Sequence, residues 1–485
     1  MNKKIYPVLA GTIMVSMLTA CGEGENYEKL LDRDSPVTVT VWHYYNGVQQ
    51  TQFDEMISEF NNTVGSEQGI IVEAYSKNSV GELADSVIAS MNKEPGADEL
   101  PNIFGTYAET AYQIDKQEML VDLSKYFTEE ELSEYVEHYM TEGSFGEEGA
   151  LKIFPTAKST EVMMVNQTDW QEFADACQVT YEDMSTWEGL TEVSAKYYEY
   201  TDGLTPDVPN DGKAFFGRDS VANYMIIGAR QLGHEFASVS EDGTVETGID
   251  KETVKKLWDN FYVPYVKGYF HAESRFRTDD AKIGSIIALI GSTTGASYYP
   301  GEVTINDEYT YPIENVVLPV PNFEGSDPYI VQQGAGMSVI KSDEKTEYAC
   351  AVFLKWFTES ERNIQFSVNS GYLPVKTAAN DFEVISAYCE ESGIDETMIN
   401  TFKTAIDEIN GYTLYTSPPY ESSAAVRDYL NDMIESTAKD AHTAAQERIS
   451  AGEDRESVLA EYTDDEAFDT WFADFEREFH EVAGE

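Results

Sequence analysis

The sequence predicts an α/β protein built on mainly parallel sheets flanked by helices, and three observations carry the prediction. Strand-like and helix-like runs alternate over residues 37–119, the apolar positions of the helical runs recur every three or four residues, and 485 residues at 42% hydrophobic content suffice for two or three domains with cores of their own.

The elements follow in order. "VTVTVW" at 37–42 alternates β-branched residues and reads as a strand. It leads into a helix on which Phe53, Met56, Ile57 and Phe60 share one face. "GIIVEAYS" reads as a second strand, and "SVGELADSVIASMN" as a helix burying Leu83, Val87 and Ile88. "LPNIFGTY" and "AETAYQIDKQEML" supply a third strand and a third helix. A β-α-β-α-β rhythm implies parallel strands covered on both faces, with ligands bound beyond the carboxyl ends of the strands. Two such ends are Trp42–Asn46 and Gly105–Glu109. Trp42 itself is expected in the core, because a two-sided sheet buries both alternating faces.

Charge and motifs bound the function. The chain holds 32 basic and 88 acidic residues, a formal net charge of -56, which repels phosphate backbones and excludes nucleic acid as a partner. No HExxH, GxSxG or GxxxxGK[ST] pattern is present, and the six histidines are scattered, so a secreted glycoside hydrolase stands only as the lesser alternative to a binding protein. "PNDGK" at 209–213 lacks the carboxylate spacing of a calcium loop and reads as a turn, so neither a metal nor a cofactor is expected. Cys177, Cys350 and Cys389 form no CxxC pair and read as mostly buried thiols, with one disulfide left open. Near the C-terminus, Phe468, Trp471, Phe472, Phe475 and Phe479 share a helical face that either packs on the body or docks on a partner.

The N-terminus reads as an export signal: basic "MNKK", apolar "IYPVLAGTIMVSM", then "LTAC" at 18–21. Leu-Thr-Ala-Cys resembles a bacterial lipobox, in which the cysteine is acylated. The expectation is a signal peptide over 1–21, a palmitate-bearing Cys21 that anchors the chain at the extracytoplasmic membrane surface, and a linker over 22–36.

Together with "LPNIFGTYAETAYQIDKQEMLVDLSKYF", "IFPTAKSTEVMMVNQTDW", "ALIGSTTGASYY", "VVLPVPNFEG", "QGAGMSVIKS" and "AVFLKWFTESERNIQFSVNSGYLPVKTAA", the lipobox and first strand give an ordered set that resembles the extracellular solute-binding proteins of bacterial ABC importers. The carbohydrate-binding branch that includes the maltodextrin-binding proteins is the most similar group. The resemblance implies a two-lobed periplasmic-binding-protein-like fold of type II, with the ligand clamped between lobes. It implies a monomer that captures a small-molecule solute, preferably a mono- or oligosaccharide, and hands it to permease subunits. The membrane is touched through the lipid anchor only, and an anionic solute of the glycerol-phosphate type is the alternative ligand.

Carried onto this chain, the family's architecture places lobe one at 37–157 and 293–341 and lobe two at 161–290 and 344–485. Crossings are then expected near Lys158–Thr160, Ser292–Thr293 and Ser342–Asp343. Ligand contacts are implied at Tyr44, Tyr45 and Asn46 after the first strand, and at Thr106, Tyr107 and Glu109 after the third. Ser159 and Glu161 fall at the first crossing; Ser292, Thr293 and Thr294 fall where some relatives carry a Trp stacking platform that this chain lacks. Arg218 and Asp219 are candidates for the cleft or for a surface ion pair, and Tyr372 and Tyr420 lie in loops where relatives sometimes supply rings. With Lys158 and Arg218 the only cations near these junctions, a neutral carbohydrate is the expected ligand.

Overall fold

The computed structural model describes residues 27–146, 149–240, 244–306 and 308–484. The acylation expected at Cys21 lies outside them. Among the described residues no helix is long and apolar enough to cross a membrane.

Two four-stranded sheets organise the chain. The first runs Gly336–Val339, Ile103–Thr106, Val37–His43, Ile70–Ser76, with the last three strands parallel and only Gly336–Val339 reversed. Val39 and Val41 are buried on one face with Phe53 and Phe60, while Trp42 and Phe104 are buried on the other with Leu83 and Val87. The helix Gly47–Asn62 buries Phe53, Met56, Ile57 and Phe60, the four positions its spacing marks. The helix Val80–Met91 buries Leu83, Val87 and Ser90, whereas Ile88 is only half-buried. Its start is fixed by Ser79, whose side chain accepts the Glu82 N–H.

The second sheet runs Asn315–Leu318, Glu161–Asn166, Ala288–Ser292, Phe216–Arg218, and only its last pair is parallel. The expectation of mainly parallel sheets therefore holds for the first lobe alone. The reason is connectivity: Glu161–Asn166 enters directly from an interlobe crossing, and no helical crossover of the β-α-β kind forces it parallel to its neighbours.

The division of the chain also departs from expectation. Asn315–Leu318, placed by resemblance in lobe one, is hydrogen bonded into the second sheet beside Glu161–Asn166. The helices Glu344–Phe357 and Ser360–Asn369, placed in lobe two, pack on the first: Phe357 meets Phe53 at 5.5 Å and Trp356 meets Phe60 at 5.2 Å. Ser292–Thr293 and Ser342–Asp343 are thus not crossings. Each is a strand-to-helix turn within a lobe, Ser292 capping Thr293–Ala296 and Asp343 capping Glu344–Phe357. The chain crosses at 157–160, at 331–335 and at 371–375, where three extended segments lie side by side. Lys158 and Leu373 exchange backbone hydrogen bonds of 3.0 and 2.6 Å, and Ser159 and Gln333 exchange bonds of 2.8 and 3.0 Å.

The C-terminal helix Asp465–Ala483 buries all five of its striped rings. Phe468 stands edge-on to Trp258 at 5.4 Å, Phe479 reaches Phe236 at 5.8 Å, and the Trp471 indole N–H donates to Thr437 Oγ1 at 2.9 Å. The stripe is core, not a docking face. Cys177, Cys350 and Cys389 are all free thiols.

Two glycines make the crossings possible. Gly334 (φ +95°) has no room for a Cβ, which would lie 2.7 Å from the Ala157 carbonyl oxygen, and at Gly371 (φ +74°) a Cβ would lie 2.8 Å from the Thr294 Cα. Both conditions select glycine. Gly334→Ala and Gly371→Ala should each lower stability by about 1–3 kcal/mol, read as a shift of the urea midpoint; a loss under about 0.5 kcal/mol would show that the crossings relax freely.

Candidate functional site

The sheets aim their ends at one another. The parallel strands of the first sheet finish at His43 and Thr106, and the second sheet presents the ends of Phe216–Arg218 and Ala288–Ser292 together with the start of Glu161–Asn166. Between them lies a cleft of about 790 Å³. Asn46, Gln49 and Tyr107 line it from lobe one, Ser159, Gln333 and Tyr372 from the crossings, and Glu161, Asp219, Ser292 and Thr294 from lobe two.

Eight of the residues singled out by sequence therefore share this cleft: Asn46, Tyr107, Ser159, Glu161, Asp219, Ser292, Thr294 and Tyr372. The others do not line it. Tyr45 is 2% exposed and packs in an aromatic cluster, 5.3 Å from His43, 5.1 Å from Phe53 and 5.2 Å from Phe366. Tyr44, whose ring centroid lies 5.0 Å from that of Tyr45, shares a 3.2 Å hydrogen bond between its hydroxyl and that of Tyr372. Thr106 is buried and donates to the Tyr107 carbonyl at 2.9 Å. Glu109 lines a smaller, separate cavity with Arg427, and desolvation there holds its carboxyl above the usual carboxylate range. Thr293 is fully buried beside Gly371, and Tyr420, also buried, belongs to other cavities.

The cations are the main correction. Arg218 is neither a surface group nor free for a ligand: it is buried, ion-paired with Glu161, and donates from Nε to the Ser220 carbonyl at 2.6 Å. Asn223 Nδ2 also donates to Glu161, at 2.8 Å, so this carboxylate reaches the cleft already engaged. Lys158 is 2% exposed, ion-paired with Glu142, and donates to the Gly334 carbonyl at 2.8 Å. The cations that do line the cleft are Arg275 and Lys282, both exposed, with the carboxylates of Asp219 and Asp279 beside them.

Sequence reasoning also missed the rings. Phe276 is 51% exposed and Tyr298 62% exposed, and both line the lobe-two wall. The Arg275 guanidinium lies 5.2 Å from the Phe276 ring centroid. Tyr298 had a signal, since it lies just past the short helix Thr293–Ala296 that follows a strand end, but Phe276 opens a short helix, Arg277–Lys282, far from any parallel strand end in sequence. Gln49 sits one turn beyond Asn46 on the first helix, within reach of any ligand at that end. Gln333 belongs to a crossing that resemblance had placed elsewhere. Among the described residues no cluster of His, Cys, Asp and Glu is arranged to hold a metal ion.

The model of a family described as bacterial extracellular solute-binding protein matches residues 55–390. Solved structures share the fold at low identity. An ABC substrate-binding protein from Listeria monocytogenes in complex with cycloalternan aligns with a TM-score of 0.65 at 16% identity, covering 93% of this chain and 100% of that one. The cyclic alpha-maltosyl-1,6-maltose binding protein from Arthrobacter globiformis aligns with a TM-score of 0.62 at 17% identity, covering 88% and 99%. UgpB from Mycobacterium tuberculosis in complex with glycerophosphocholine aligns with a TM-score of 0.63 at 15% identity, covering 86% and 98%. No curated protein matches by sequence.

Behind the cleft, His43 is 1% exposed among rings, its Nδ1 has no hydrogen-bond partner, and burial lowers its pKa from 6.5 to about 4. The unfolded chain then binds a proton that the folded chain refuses, so stability is lost as pH falls from 6.5 towards 4, by up to about 3 kcal/mol. Over this window the unfolding free energy of wild type should fall more steeply than that of His43→Phe; parallel curves would assign the acid sensitivity to other groups.

Proposed function

This chain belongs to the bacterial extracellular solute-binding protein family, and from that premise we propose that its cleft captures a neutral carbohydrate outside the cytoplasm and delivers it to the permease of an ABC importer. The family binds solutes; the ligand class rests on the cleft. One observation carries it: two exposed rings, Phe276 and Tyr298, share the cleft with the amide and hydroxyl groups of Asn46, Gln49, Tyr107, Ser159 and Gln333. Sugar rings offer C–H faces for stacking and hydroxyls for planar polar partners, so both kinds of group are used at once.

Charge points the same way. The buried cations behind the cleft, Arg218 and Lys158, are each tied to a carboxylate, and at the rim two cations stand beside two carboxylates. Such a site offers an anion little net attraction. Arg275 and Lys282 nonetheless support a second reading, a phosphodiester ligand such as the glycerophosphocholine held by the Mycobacterium tuberculosis neighbour. The chain acts as a monomer without a cofactor, and it returns its ligand chemically unchanged.

Titration calorimetry against maltotriose, other neutral oligosaccharides and glycerophosphocholine separates the readings. With a neutral sugar as the tightest ligand, Phe276→Ala and Tyr298→Ala should each weaken binding by about 0.5–1.5 kcal/mol, roughly two- to tenfold, and the sugar should be recovered intact. Tightest binding of glycerophosphocholine, abolished by Arg275→Ala, would replace carbohydrate with the phosphodiester.

The membrane anchor is proposed at Cys21. Labelled fatty acid fed to expressing cells should mark the wild-type protein and spare Cys21→Ser, which should be released from the membrane; equal labelling of both removes the anchor from the proposal.

A further inference from the structure

Gln332 and Gln333 are successive residues of one extended crossing, so their side chains point to opposite faces of it. Gln333 lines the ligand cleft, whereas Gln332 lines a second cavity, of about 890 Å³. The neighbouring crossing divides the same way: Ser159 lines the cleft, and Lys158 pairs with Glu142, which lines the second cavity. The crossings thus separate two cavities of similar size, and only one of them belongs to the function proposed above.

The rear cavity has the makings of a site. Its volume lies in the range of small-molecule pockets. Both lobes wall it, Tyr112 and Phe145 from the first, Tyr415 and Pro418-Pro419 from the second. These apolar faces stand beside the amide of Gln332 and the hydroxyls of Thr141 and Ser417, the same pairing of ring faces with neutral polar groups that the cleft shows. Charge narrows the ligand further. Among the described lining residues there is no Lys or Arg, and the one carboxylate, Glu142, is already engaged by Lys158 and by the Gln332 amide. Among the described residues an anion finds no Lys or Arg there, and a cation finds no free carboxylate.

We infer that this rear cavity is a second binding site, for a neutral saccharide, distinct from the cleft and separated from it by the interlobe crossings. Because both lobes wall it, its occupant bears directly on the angle between them.

Maltotriose is the probe, and side-chain oxidation footprinting the readout. Tyr112, Phe145 and Tyr415 should be protected by maltotriose in wild type, and this protection should persist in a Phe276→Ala/Tyr298→Ala variant whose cleft is weakened. Thr141→Trp places bulk in the rear cavity from an exposed position, and it should abolish that protection or shift its midpoint at least tenfold, with an unchanged melting temperature. The rear footprint is read separately from the cleft, so failure of maltotriose to occupy the cleft does not obscure it. Protection that vanishes in the cleft variant, that survives Thr141→Trp unchanged, or that is absent from these three rings in wild type overturns the second site.

Discussion

The backbone pairing of the crossings, Lys158 with Leu373 and Ser159 with Gln333, is the constraint on which the rest depends. It joins two sheets of different topology side by side and fixes which strand ends face each other. Its geometry demands glycine at 334 and 371, where neighbouring backbone leaves no space for a side chain. It is also locked by side chains. Asn363 donates to the Thr156 carbonyl at 2.7 Å and accepts the Val375 N–H at 2.8 Å, tying the first and third crossings to one helix of lobe one. Lys158 brings a buried ammonium into the same layer. Its desolvation is offset by Glu142 and the Gly334 carbonyl, and removing one partner of such a buried pair costs about 3–5 kcal/mol.

That arrangement also sets the electrostatics of the cleft. A chain with 32 cationic and 88 anionic side chains has few cations to spare. Two of them are buried at the hinge and cleft floor, where each meets a carboxylate, and Glu161 is further engaged by Asn223. The floor is therefore polar but internally neutralised, with amides and hydroxyls left to face a ligand. The acidity seen in composition belongs to the surface and does not define the site.

Aromatic residues are used in two ways. Tyr45, His43, Phe53, Phe366 and Tyr372 pack together and join the end of the first strand to the third crossing. Burial of these rings is what suppresses protonation of His43. Phe276 and Tyr298 do the opposite, exposing ring faces to the cleft at a hydrophobic cost that a stacking ligand removes.

What the sequence by itself determined was local. The helix Gly47–Asn62 and its four buried residues, the three parallel strands of the first lobe, the burial of Trp42 and the apolar stripe of the C-terminal helix all follow from periodicities of two and 3.6 read over short windows. The rule that ligands sit beyond strand ends led to Asn46 and Tyr107, and family resemblance to Ser159. Tertiary structure alone decided which sheet Asn315–Leu318 joins, where the second and third crossings fall, that Tyr45 packs while Tyr44 reaches Tyr372, and that Arg218 and Lys158 are spent on Glu161 and Glu142. Strand pairing and ion pairing join residues from tens to hundreds of positions apart, as when Lys158 meets Leu373. No local pattern encodes such a partner, because its identity depends on how every intervening element has packed.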